Sequence, residues 1–91
     1  MRSQLLAARA AALFASDLPT GSRPSALVVE TAIAGAVRRC GGTRGCVAYM
    51  AAAYGDYPET AAPRMRWALS LVSIATKAAQ PPEPDRELVA A

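Results

Sequence analysis

Histidine is absent from this chain, and its absence excludes more chemistry than any motif adds. Without an imidazole there is no ordinary general base near neutral pH. Cysteine is limited to Cys40 and Cys46. Two thiols with no histidine cannot complete a tetrahedral zinc site within one chain, and neither thiol has a base or oxyanion site to make it a nucleophile. The expected reading of Cys46 is a small buried apolar residue. No metal, no cofactor and no small-molecule substrate is expected, and the chain is not expected to be an enzyme. Aromatic residues make up only 5%, and the β-branched and aromatic runs that extended strands favour are missing. No uninterrupted apolar run approaches the roughly 20 residues of a membrane span, so no membrane partner is expected. The N-terminus loosely imitates a signal sequence, but Arg9 interrupts its apolar stretch. The expected location is cytoplasmic, where thiols stay reduced; a Cys40–Cys46 disulfide across the intervening glycines is geometrically conceivable but disfavoured there.

What the chain does have is alanine, in a hydrophobic fraction of 53% over 91 residues. Alanine is the best helix former and yields little on burial, so close-packed helices around a small core are expected. A single domain of this size buries roughly two thirds of its unfolded surface. The pattern predicts an all-α fold: a four-helix compact domain over residues 1–79, followed by a flexible tail over 80–91 that is rich in Pro and acid.

Helical spacing of Leu6, Ala10, Leu13 and Phe14 predicts a first helix from Ser3 to Ser16, a core-covering element whose wide stripe also suits an oligomer contact. A Pro-, Gly- and Ser-rich loop leads to Ser25, the N-cap of a second amphipathic helix that stops at Gly41-Gly42, with Arg38 and Arg39 in its last turn. Thr43 is read as the N-cap of a third helix burying Cys46, Met50, Ala53 and Tyr54, with Gly55 as the left-handed residue that closes it. Asp56 and Glu59 have the spacing of a capping box, so a fourth helix is expected to start near Tyr57 or Pro58. Pro63 conflicts with that start, requiring either a later beginning or a kink. Gly41-Gly42 with Gly45 faintly resembles a phosphate loop but lacks its lysine and any preceding strand.

Nine basic residues stand against four acidic ones between Met1 and Ala79, a balance of +5, while residues 80–91 carry −2. A basic body favours a polyanion. Taking Gly55 as a corner, Ala51 as the small residue beside it, Met50 and Tyr54 as buried and Ala61 as facing back, the stretch Val47 to Arg66 resembles the helix-turn-helix of bacterial DNA-binding regulators. More loosely, the chain resembles small actinobacterial nucleoid-associated helical proteins. Asp56, Pro63 and Arg64 depart from the helix-turn-helix pattern. The fourth helix, apolar around most of its girth, needs cover from the first helix or from another copy of the chain, and a homodimer is the expected form. The resemblance implies double-stranded DNA as partner. It places Tyr57, Glu59, Thr60, Ala62 and Arg66 in the major groove, and Arg38, Arg39, Thr43 and Arg44 on phosphates. Trp67, Leu71 and Ile74 share a stripe expected to form the dimer interface rather than stack on bases. The alternative is a non-enzymatic interaction module whose arginines form a solvated face.

Overall fold

The computed structural model describes residues 2–79, which form four helices and no strand: α1 (Arg2–Phe14), α2 (Ala26–Cys40), α3 (Thr43–Asp56) and α4 (Pro58–Ala79). The all-helical expectation is met, and the tail assigned to 80–91 lies outside the described residues.

The first helix does not cover the core; its C-terminal half is the core. Ala10, Ala11, Ala12, Leu13 and Phe14 are consecutive and none exceeds 3% exposure. An amphipathic helix buries every third or fourth residue, so unbroken burial requires neighbours on all sides. α1 has them, touching α2, α3 and α4. Its run of alanines lets those helices approach closely around Val29, Ile33, Ala36, Cys46, Ala68, Leu71, Val72 and Ala75.

Two contacts fix the direction of α2. Arg9 Nη1 donates to Glu30 Oε1 at 3.0 Å, and Arg39 Nη2 donates to the Ala15 carbonyl at 3.3 Å. The offset between partners is nearly the same in both, as happens when two helices run side by side in the same direction. A parallel pair needs a connection that travels back the length of a helix. The stretch from Ala15 to Ser25 does this, running along α4: Thr20 meets Arg64 and Ser22 meets Trp67. At Ser25 the side chain accepts from the Val28 amide at 3.3 Å and starts α2 as expected. Its other end closes as the glycine pair predicts. Gly41 is left-handed at φ 76°, the Gly41 amide donates to the Arg38 carbonyl at 3.3 Å, and the Gly42 amide donates to the Val37 carbonyl at 2.8 Å, the double bond pattern of a Schellman closure.

Because α2 ends and α4 begins at the same end of α1, α3 must pass across that end. Phe14 accordingly packs on both Tyr49 and Tyr54, with ring centroids 6.3 and 6.4 Å apart. The junctions of α3 differ from expectation. Gly42, not Thr43, occupies the N-cap, and no side chain caps the helix. Gly55 is helical and is not among the glycines with positive φ, so it makes no corner; α3 continues through Asp56 and Tyr57 alone joins it to α4. Asp56 makes no capping bond to α4 among the described residues. Instead the Tyr57 carbonyl accepts from the Thr60 and Ala61 amides at 3.2 and 2.9 Å, and Pro58 opens α4, where its missing amide costs nothing. α4 then runs unbroken through Pro63. The ring deprives the Glu59 carbonyl of its helical donor, and exposed Glu59 leaves that carbonyl to water.

Candidate nucleic-acid interface

The rim residues gather where α2 hands over to α3. Arg38, Arg39, Thr43 and Arg44 are all exposed. Arg38 and Arg39 both fold back over Gly35, whose missing Cβ would lie 3.9 Å from Arg38 Nη2 and 3.6 Å from Arg39 Nη1. Among the described residues no carboxylate lies within 4.0 Å of Arg38 or Arg44. Arg39 is partly committed: Nη2 lies 3.7 Å from Asp17 Oδ1 and also holds the Ala15 carbonyl. At the start of α3 the first intrahelical bonds come from Gly45 and Cys46, both to the Gly42 carbonyl. The amides of Thr43 and Arg44 meet no acceptor among the described residues, leaving the positive end of the helix dipole open beside these cations.

This turn is held by a close approach that the sequence reading missed. A Cβ on Gly45 would stand 1.9 Å from the Cys40 carbonyl oxygen, so only glycine allows α3 to start against the end of α2. Cys40 and Cys46 are free thiols. Burial above all, with the Cys40 thiol adding to it, pushes Cys46 up to about 11. It therefore stays protonated at neutral pH and behaves as a small apolar core residue.

The groove-facing set occupies the outer side of early α4. Tyr57 is 67% exposed, Glu59, Thr60 and Arg66 are exposed, and Ala62 is half-buried. Thr60 Oγ1 donates to the Tyr57 carbonyl at 3.2 Å. The two sets stand at opposite ends of α3, about 20 Å apart at 1.5 Å per residue. Of the motif residues between them, Ala61 is buried at 2% as expected and Met50 is half-buried. Ala51 is exposed and so mediates no close helix crossing, and Tyr54, expected to be buried, is 38% exposed although its ring stacks on Phe14.

No family model matches this chain, and neither a curated protein nor a solved structure does.

The most connected cation among the described residues is one assigned to neither set. Arg64 donates from Nε to the Phe14 carbonyl at 2.8 Å, from Nη2 to the Ser16 carbonyl at 2.9 Å and from Nη1 to Thr20 Oγ1 at 2.9 Å. Its guanidinium also lies 4.9 Å from the Trp67 ring centroid and 5.6 Å from that of Phe14. Burial lowers its pKa from the usual arginine value, without removing the charge. With Arg39 on the Ala15 carbonyl and the Ser16 amide and hydroxyl on the Leu13 carbonyl, the end of α1 is closed by side chains from α2 and α4. The signal was present in the sequence as an arginine at a position of Ala61-Ala62-Pro63-Arg64-Met65 where a helix-turn-helix places an apolar residue.

The expected dimer stripe is also redirected. Trp67 is half-buried and its Nε1 donates to the Ser22 carbonyl at 2.8 Å, and Leu71 is buried at 8% within the chain. Of the three, only Ile74, at 61%, faces outward. Among the described residues no three His, Cys, Asp or Glu side chains gather as metal ligands, and no helix is long and apolar enough to cross a membrane.

Proposed function

We propose that this chain is a small, non-enzymatic DNA-binding protein, a transcriptional regulator or nucleoid-associated factor, that engages double-stranded DNA at the end of the bundle closed by α3. The observation that supports this is the cluster of exposed Arg38 and Arg44, without carboxylate partners among the described residues, beside two open amides at the start of α3. Oriented amides and guanidinium groups together suit phosphate oxygens. In this reading α3 and α4 act as a variant helix-turn-helix with a one-residue joint. Arg38, Arg39, Thr43 and Arg44 hold the backbone, while Tyr57, Glu59, Thr60, Ala62 and Arg66 enter a major groove about 12 Å wide. Asp56 and Glu59, on either side of the α3–α4 joint, repel phosphates, so affinity rests on the α2–α3 turn and sequence preference is weak.

The test is a salt-titrated binding measurement on duplexes of unrelated sequence. Affinity falls steeply with salt, and the Arg38→Glu/Arg44→Glu double variant binds every duplex more weakly, with the log–log slope reduced by roughly 1–2. No affinity at low salt, or an unchanged slope in the variant, refutes the proposal.

A second reading, a helical interaction module, is favoured by a different observation. Leu5 is 61% and Leu27 76% exposed, and the parallel register of α1 and α2 brings these two helix starts together at the end remote from the arginines. This is also where a homodimer would form, in place of Trp67 and Leu71. Leu27→Asp breaks a dimer built there while leaving DNA affinity per chain intact. A monomer by sedimentation at every concentration removes the homodimer.

A further inference from the structure

A groove of about 370 Å³ runs between the α1–α2 connection and α4, with Ser22, Arg23 and Pro24 on one wall and Trp67, Leu71 and Ile74 on the other. Trp67, Leu71 and Ile74 give it an apolar wall, and Arg23 is the one charged side chain in its lining. Ile74 is 61% exposed, and Arg23 is exposed with no carboxylate within 4.0 Å among the described residues. The chain itself carries a segment of matching chemistry. Beyond Ile74 the only large apolar side chains are Leu88 and Val89, and they follow Glu83, Asp85 and Glu87. The last described helical residue, Ala79, lies about 7.5 Å along α4 from Ile74 and about 18 Å from Trp67. Leu88 is the ninth residue beyond Ala79, and an extended stretch of that length spans up to about 30 Å, enough to turn back and reach the far end of the groove.

We propose that residues 83–89 of the same chain dock in this groove, with Leu88 and Val89 covering Ile74 and the indole of Trp67 and the carboxylates lying beside Arg23. The occupant is chosen by charge as well as by position. Arg23 in the lining is cationic, the segment carries three carboxylates against the single Arg86, and it follows Ile74 in the chain. Burial of two aliphatic side chains against an indole gives the contact its driving force, and the ion pairs at the rim set its direction.

Trp67 is the only tryptophan and it lines the groove, so it reports the contact directly. The full chain is compared with a chain ending at Ala79 and with full-length Leu88→Asp, each checked for helicity by circular dichroism. The expected result is that both altered chains show red-shifted Trp67 emission and stronger acrylamide quenching than the full chain. A peptide of residues 80–91 added to the shortened chain reverses both changes, and less effectively when that chain carries Arg23→Glu. Emission and quenching that are the same in the full chain and in Leu88→Asp overturn the proposal. So does protection of Trp67 that disappears on dilution, which would place the segment in a neighbouring copy.

Discussion

The two ends of α1 are treated in opposite ways by the rest of the chain. At the C-terminal end Leu13 and Phe14 are sealed, and every carbonyl from Leu13 to Ser16 has a donor, supplied by Ser16, Arg39 and Arg64. At the N-terminal end Leu5 stands exposed, as does Leu27 at the start of α2. Charge therefore serves two purposes that composition cannot separate. Arg64, and in part Arg39, complete a helix terminus inside the protein, while Arg38 and Arg44 remain available to a partner. A count of basic residues overstates the surface that can meet a polyanion.

The sharpest way to break this comparison is Arg64→Leu. It strips donors from two carbonyls at the end of α1, and the expected loss is about 2–4 kcal/mol by urea denaturation. Arg64→Lys should recover little, because an ammonium cannot reproduce the fork that spans Phe14, Ser16 and Thr20. If Arg64→Leu unfolds no more easily than the parent chain, the closed end of α1 is not held by charge. Next comes a pair of glycines. Gly45→Ala forces a methyl group into the Cys40 carbonyl and should cost about 1–3 kcal/mol. Gly55→Ala meets open space within a helix and should raise stability by about 0.5–1 kcal/mol. A destabilising Gly55→Ala would restore the glycine corner that the backbone does not show.

The smallest effect concerns the tether between α1 and α2. The hydrogen bond from Arg9 holds the Glu30 carboxyl below its ordinary value. A depressed folded pKa contributes stability above the unfolded value, near 4.3, and loses it as pH falls through the lower folded one. Since the Glu30 side chain is 45% exposed, the loss on acidification should be about 0.2–1 kcal/mol. Glu30→Gln should flatten that part of the pH profile.

Much of the local structure was legible in the sequence, because caps and breakers act over a few residues. Ser25 starts α2, Gly41-Gly42 ends it, and Pro58 opens α4, each for the reason the residue type suggests. The α3–α4 joint was misread for a related reason. A glycine followed by Asp56 and Glu59 satisfies the local rules for a corner, but nothing local says whether the helix stops at Gly55 or runs on through Asp56. The central role of α1 was not visible, since periodicity reports which residues are apolar and not how many neighbours surround them. The candidate site was legible in part. Arg38 stands opposite the apolar arc of α2 and Arg44 follows the glycine pair, so both were placed near this turn from local signals, whereas the close approach at Gly45 and the reach of Arg64 depend on contacts between distant parts of the chain.

The donors that finish α1 also impose an order on its making. On a ribosome this helix emerges before α2, α3 and α4, and its last carbonyls have only water until Arg39 and then Arg64 appear, 24 and 50 positions downstream of their partners. Such distant contacts come late in folding. α1 is thus made before the elements that secure it, and a nascent chain stalled before α4 would present its future core to solvent and to chaperones.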